Sequence, residues 1–409
     1  MAQDIYKLHE LDNGIRIIHR YSSSPVSHCG ITINVGSRDE DESENGIAHF
    51  IEHSVFKGTH KRKSFQILNR IDGVGGELNA FTTKEETCVY GCFLNSYIER
   101  FLELLSDIVF NSTFPEKEIA KEKVVVIDEI NSYEDTPSEL IYDEFEKQLF
   151  GNHPLGRLIL GTPENVNSFT SEKIKSFIDK NYSTDQMVIS IVSSIDAEKW
   201  FLLSEKYFGN QKKKINKPKR EKPIIKKGVT NIYDRDTYQS HAVIGTTAYG
   251  YKDEKKAAFS LLNNMLGGYA MNSFLNMHIR EKYGFTYTIE SNYTAYSDVG
   301  VFSIYAGTDK KYMDKTLRLI NKELEKFTQT PLAERTLQKF KQQMKGQLAI
   351  SCDSNQNEML SIGKMLLNYG KVDTLQDTYK TIDEISTKDI LEVAQEIFVP
   401  ERLSIIQYV

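Results

Sequence analysis

The stretch Ile47-Ala48-His49-Phe50-Ile51-Glu52-His53 constrains this chain more than any other. Ile47, Phe50, Ile51 and Val55 recur at three- and four-residue spacing, which predicts a helix with one apolar stripe. His49, Glu52 and His53 stand at i, i+3 and i+4 and therefore share a second face. Two imidazoles one turn apart can grip a single zinc ion, and the carboxylate beside the second can reach a water on that ion. The pattern H-x-x-E-H reverses H-E-x-x-H and does the same geometric job from the opposite direction. Taken alone it is only suggestive. Two surface histidines flanking a solvated Glu would be spelled the same way in a chain with 9 His in 409 residues.

That length allows two or more domains, each with its own core. Hydrophobic residues at 40% and charged residues at 26% are ordinary for a soluble globular protein. Gly and Pro are few, so long disordered tracts are not expected. Lys and Arg number 51 against 57 Asp and Glu, a net charge of −6 that argues against general nucleic-acid affinity. It permits, without locating, a negative cavity that favours basic peptides. Cys29, Cys88, Cys92 and Cys352 form no C-x-x-C pair. They fit reduced thiols of an intracellular protein better than a disulfide framework or a zinc ligand set. No stretch reaches 18 apolar residues, so no membrane span is expected. Met1 to Tyr6 carries neither an apolar signal core nor an Arg-rich, acid-poor segment, and a cytoplasmic location is the expectation.

In chain order, Tyr6-Lys7-Leu8-His9, a turn at Asp12-Asn13-Gly14 and Ile15-Arg16-Ile17-Ile18 read as a hairpin, with another strand at Cys29–Val35. Asp41 to Glu44 offer acids and a cap for the motif helix, and Gly58 offers a stop. A helix over about Ser64 to Val74 precedes Gly75-Gly76 and a strand running on to about Leu94. Two glycines before Asn79-Ala80 suit a sheet edge that adds an extended peptide, although the spacing itself favours a plain tight turn. Helices follow over Tyr97–Val109 and Pro115–Tyr133. In the second, Val124, Val125 and Ile127 read as the buried side. Glu122 and Glu129, seven residues apart, share a face at about 10 Å separation. Zinc held by two His needs a third protein ligand, and either Glu could serve by chemistry, although acids on a helix are ordinarily a solvated face.

A helix at Ser171–Asn181, a strand at Met187–Val192 and a helix at Ala197–Phe208 complete the first half. The tract from Gln211 to Pro223 is charged, Pro-punctuated and free of aromatics. It reads as an interdomain linker, taken as 211–228, between domains at 1–210 and 229–409. The second half loosely repeats the first, with helices after Pro115 and Pro331 in corresponding places, which suggests a duplicated α+β domain. It has no second H-x-x-E-H.

Assembled, these pieces resemble the pitrilysin/insulysin family of inverted-motif zinc peptidases, in its two-domain subfamily that includes mitochondrial processing peptidase. The resemblance spans nearly the whole chain. It is carried by His49 to His53, Phe56-Lys57-Gly58-Thr59, Gly75-Gly76 with Leu78-Asn79-Ala80-Phe81-Thr82 and Thr87, and the Glu122/Glu129 pair. Gly156-Arg157, Leu160-Gly161-Thr162, Tyr207-Phe208-Gly209, Arg280 and Tyr287 extend it. Ser193-Ser194, where many members have a glycine, and the short loop Gly267-Gly268-Tyr269-Ala270 depart from it.

The resemblance implies two homologous α+β domains, each a mostly antiparallel sheet packed with helices, forming half of a clamshell. It implies one Zn2+ per chain held by His49, His53 and Glu129, with Glu122 behind them and Glu52 as general base. Asn79 and Ala80 would pair with substrate backbone, and Arg280 and Tyr287 would contact the substrate near the scissile carbonyl. The implied activity is endopeptidase cleavage of short or unstructured peptides inside an enclosed chamber. Family members close four such domains around the substrate, and this chain has two. A dimer is therefore implied; a homodimer suffices, since one sequence holds both sets, and a heterodimer with a related subunit is the alternative. A non-catalytic or partner-dependent peptide-binding subunit is the competing function.

Overall fold

In the computed structural model, which describes residues 5–235 and 237–409, apolar strands assemble two sheets, each in its own compact unit. Unit 1 takes the chain through Asn131, then Leu158–Arg220 and Ile350–Thr374. Unit 2 takes Ser132–Arg157, Glu221–Ala349 and Leu375–Val409.

The strands of unit 1 are β1 (Tyr6–Glu10), β2 (Arg16–Tyr21), β3 (Val26–Ile33), β4 (Glu77–Thr82), β5 (Thr87–Leu94) and β6 (Met187–Ser193), in the order β1-β2-β6-β3-β5-β4. Those of unit 2 are β7 (Thr230–Tyr233), β8 (Ser240–Ala248), β9 (Thr286–Ala295), β10 (Gly300–Thr308) and β11 (Ser404–Tyr408), in the order β7-β11-β8-β10-β9. With β1 set aside the two orders correspond strand for strand. In each, the last strand pairs parallel with the first, β6 on β2 and β11 on β7, and the described pairings are otherwise antiparallel. The loose repeat in the sequence is thus a repeat of topology.

The helices, in order, are α1 (Ile47–Ser54), α2 (Ser64–Asp72), α3 (Ile98–Phe110), α4 (Glu116–Glu134), α5 (Pro137–Phe150), α6 (Pro163–Ser168), α7 (Ser171–Asn181) and α8 (Ala197–Phe208). After the charged tract come α9 (Lys256–Gly267), a π-helical turn at Asn276–Glu281, α10 (Met313–Gln329), α11 (Glu334–Cys352), α12 (Asn355–Tyr369), α13 (Leu375–Glu384) and α14 (Thr387–Ile397).

Both faces of each sheet are covered. In unit 1, Ile17, Ile31, Ile189 and Ile191 pack with Phe50, Phe101, Phe177 and Trp200 from the helices. Ile18, Val188 and Val192 point the other way, against Met359, Ile362 and Leu366 of α12. That double burial is why Met187 to Val192 reads as a continuous apolar run rather than an alternation. In unit 2, Ile244, Phe302 and Ile304 pack with Phe259, Leu262, Ile320 and Val393. Val243, Val301 and Ile406 pack with Ile141, Phe145 and Leu149 of α5.

The units are therefore interleaved. Helix α5 precedes the charged tract yet belongs to unit 2, and α12 follows it yet belongs to unit 1. Residues 211–220 of that tract go with unit 1 and 221–228 with unit 2. An amphipathic helix buries its stripe against whichever apolar sheet face is offered, so its place in the sequence does not assign it.

Several local expectations are corrected. The strand read from Gly75 to Leu94 is a hairpin, with a turn at 83–86 closed by Thr83 N donating to Glu86 O at 2.8 Å. Helix α1 stops at Ser54 rather than at Gly58, which instead forms a bridge with Lys63. In α4 the buried stripe is Ile119, Glu122, Val126 and Ile130, while Val124 and Val125 are 59% and 50% exposed. That stripe follows helical spacing and includes an acid, which apolarity alone could not pick. The four cysteines are free, Cys29 and Cys88 buried and Cys352 exposed. Among the described residues no helix is long and apolar enough to cross a membrane.

Candidate metal and peptide site

Helix α1 is preceded by its cap residue Gly46, whose φ of +97° suits glycine and where a Cβ would meet Leu160 O at 2.7 Å. The acid that satisfies its free N–H groups is Glu40, not one of Asp41 to Glu44. Buried Glu40 accepts from Gly46 N at 2.9 Å, Ala48 N at 2.8 Å and Asn45 Nδ2 at 3.0 Å. Sequence reasoning missed it because it sits seven residues before the first helical residue rather than at a cap position.

Ile47, Phe50 and Ile51 are fully buried, which fixes the rotation of α1 and turns His49, Glu52 and His53 to the other side. Helix α4 comes alongside. Glu129 Oε2 lies 3.8 Å from His49 Nε2 and 3.4 Å from His53 Nε2. The three residues offer ligand atoms within 4.8 Å of one another. Donors about 2.0–2.2 Å from a tetrahedral zinc stand about 3.4 Å apart; the set fits that ion in kind, and the Glu129–His53 pair at 3.4 Å matches that spacing. Glu122 takes a different place. Its Oε1 is 3.0 Å from His53 Nδ1, and its Oε2 is 2.7 Å from Lys57 Nζ. A proton on Nδ1 donated to Glu122 leaves the Nε2 lone pair of His53 turned toward Glu129. Of the two acids that spacing left open, Glu129 is the one facing both imidazoles. Lys57, noticed in the sequence only as part of a block, emerges as the cation on Glu122.

Burial, and then the neighbouring His53, push the His49 pKa down to about 4, so this imidazole is neutral at ordinary pH. Burial pushes His53 down too, but Glu122 and Glu129 more than offset it and the net shift is upward. Glu122 is only 5% exposed, and burial raises its pKa, yet hydrogen bonds from His53 and Lys57 carry the net shift downward. Burial raises Glu52, while hydrogen bonds from Thr82 and the proximity of His53 restrain it. A carboxylate lifted from its ordinary range is a better proton acceptor.

Strand β4 is an edge strand, paired among the described residues with β5 alone. Gly75, at φ +78°, and Gly76 close a tight turn onto the end of α2, and the strand that follows is the edge. The tight turn and the sheet edge are thus both present. Asn79 is exposed on this edge, Ala80 follows it, and Thr82 Oγ1 donates to Ala48 O at 3.4 Å, tying β4 to α1. Arg280 and Tyr287 belong to unit 2. Arg280 lies on the π-helical turn; Tyr287 opens β9, is exposed, and donates to Asp309 Oδ1 at 3.1 Å. Of the two departures noted above, Ser193 is buried and shares a hydrogen bond with Ser27 at 2.8 Å.

The family described as "Insulinase (Peptidase family M16)" matches residues 16–163, and "Peptidase M16 inactive domain" matches 168–344. An uncharacterized zinc protease of Bacillus subtilis is 34% identical over 393 residues, covering 96% of this chain and 95% of that one. Uncharacterized zinc proteases of Rickettsia felis and Mycobacterium leprae are 32% and 31% identical, covering 96% and 95% of this chain and 95% and 88% of theirs. Among solved structures, a protease from Helicobacter pylori superposes with a TM-score of 0.89 at 21% identity, covering 98% of this chain and 99% of that one. A peptidase M16 inactive domain from Pseudomonas fluorescens does so with 0.91 at 20% identity, covering 98% of each. At such identities the structures speak for the fold.

Proposed function

Since the chain belongs to the insulinase family of peptidases, family M16, we propose that it is a zinc-dependent endopeptidase acting on short or unstructured peptides. One observation carries this: His49, His53 and Glu129 present ligand atoms within 4.8 Å of one another, with Glu52 on the same helix face as the two imidazoles. His49, His53 and Glu129 hold one zinc per chain. When bound, zinc polarises the scissile carbonyl and lowers the pKa of a water.

The chain's own residues do the rest. Glu52 accepts a proton from the attacking water and delivers it to the leaving amine. Burial raises the basicity of that carboxylate, and a hydrogen bond from Thr82 holds it in place. Glu122, neutralised by Lys57, orients His53 through Nδ1. The free edge of β4 at Asn79 and Ala80 adds the substrate as an extended strand. Arg280 and Tyr287 contact the substrate near the scissile carbonyl, and Tyr287 supplies a hydrogen bond to the developing oxyanion. In this reading the peptidase set lies within 1–210, the Arg/Tyr pair within 229–409, and the working unit is a cytoplasmic homodimer. Mixing Glu52→Gln with Arg280→Ala chains tests that dimer: recovered activity after subunit exchange supports it, and none counts against it.

The primary test is hydrolysis of a quenched, unstructured, basic peptide library, with metal content measured on the same sample. Cleavage abolished by chelator supports the peptidase. A zinc-loaded protein that cuts nothing shifts the reading to a partner-dependent or peptide-binding subunit.

A further inference from the structure

The charged tract after α8 does not end as a free spacer. The side chain of its residue Arg220 is only 9% exposed. Its guanidinium grips Asp39 with both arms, Nε to Oδ1 at 2.9 Å and Nη2 to Oδ2 at 2.7 Å. Nη1 donates to Asn34 Oδ1 at 3.0 Å, and Nη2 also reaches Asn34 O at 3.4 Å and Glu85 O at 2.9 Å. One side chain therefore joins two segments remote in sequence, the turn at 36–40 and the hairpin turn at 83–86.

Each segment leads into the candidate site. Asp39 Oδ2 accepts from Gly36 N at 3.0 Å, and the next residue is Glu40, whose carboxylate holds the start of α1. The hairpin turn closes β4, the strand of Asn79, Ala80 and Thr82. Ser37 N donates to Thr83 O at 3.1 Å and Arg38 N to Lys84 O at 2.7 Å, so the two turns are laced by backbone as well. Arg38 Nη1 pairs with Glu85 Oε1 at 2.6 Å on the same turn. A lysine could not replace Arg220. Its single ammonium cannot span the Asp39 carboxylate, the Asn34 amide oxygen and the Glu85 carbonyl together, whereas a planar five-donor fork does.

We propose that Arg220 is a positioning residue for peptide cleavage: by locking the 36–40 turn to the 83–86 turn, it sets the β4 edge against α1 and thus a strand-added peptide against Glu52. The proposal rests on the reading of α1 and β4 as the peptidase site. It makes the end of the charged tract part of the site's frame.

The test compares wild type, Arg220→Ala and Arg220→Lys as full chains loaded with zinc. The readouts are metal content, steady-state cleavage of an unstructured quenched peptide, and hydrogen exchange. Arg220→Ala is expected to keep wild-type zinc content and a cooperative unfolding transition. Its kcat/KM falls about tenfold to a hundredfold, the scale of a small misplacement of reacting groups. Free guanidinium at a non-denaturing concentration recovers part of that loss, and Arg220→Lys falls between. Exchange quickens in residues 36–50 and 80–88 and not in β6. Wild-type kcat/KM in Arg220→Ala overturns the proposal, and so does exchange that quickens evenly across unit 1. If Arg220→Ala fails to fold, wild-type turnover in Arg220→Lys overturns it. If wild type itself cuts nothing, the peptidase reading fails separately. The exchange pattern then decides alone, localised quickening supporting the lock and even or absent quickening overturning it.

Discussion

At the scale of single residues, the proposed site separates groups assigned to metal, water and substrate from groups that position them. Glu52→Gln keeps the side chain's shape and removes its basicity. Turnover is expected to fall by about 10²–10⁴-fold, the span general bases contribute, with zinc content unchanged; retained turnover removes Glu52 from that role. Glu122→Gln acts one step further out. It leaves His53 Nδ1 without its anionic acceptor, and zinc affinity, read by competition with a chromophoric chelator, is expected to weaken about 10–100-fold. The two variants differ in which quantity moves, and an unchanged zinc affinity in Glu122→Gln would deny it the orienting role.

At the scale of elements, α4 is the informative case. Its sequence offers Val124 and Val125 as an apolar pair, yet the packed stripe runs through Val126 and Ile130. Ile130→Ala is expected to cost about 2–5 kcal/mol in denaturant unfolding, as buried large-to-small changes do. Val124→Ser should stay within about 0.5 kcal/mol. The reverse ranking would mean that α4 is rotated, and a rotated α4 would not bring Glu129 to the two imidazoles.

At the scale of the whole molecule, each sheet takes its second covering helix from the other half of the chain. A fragment of residues 1–210 therefore lacks α12 and leaves Ile18, Val188 and Val192 bare. It is expected to bind an apolar dye and to unfold without a cooperative transition; a monomeric, cooperatively folded fragment would contradict the interleaving. Stability should also follow pH through histidines remote from the metal set. Burial lowers the pKa of His19, His28 and His241. As pH falls below about 6.5 the unfolded chain takes up protons that these folded imidazoles still refuse. Their contribution is complete above that value and is lost as pH falls through the lower folded values. Thermal midpoints of the chelator-treated protein should drop from pH 7 to pH 5, and less steeply in His19→Phe.

What the sequence by itself determined is local. The i, i+3, i+4 spacing put His49, Glu52 and His53 on one face, and strand and helix periods located most elements, because those relations are set within one turn or one pleat. The tertiary structure decided what lies opposite. Glu129 rather than Glu122 faces both imidazoles because α4 is rotated by the burial of Val126 and Ile130. Glu40 holds the start of α1 across a six-residue loop, and Arg220 closes on Asp39 from 181 residues away. Helices α5 and α12 exchange sheets because any apolar face satisfies an amphipathic helix. Partners of that kind are chosen by the packing of elements against one another, which no local spacing encodes.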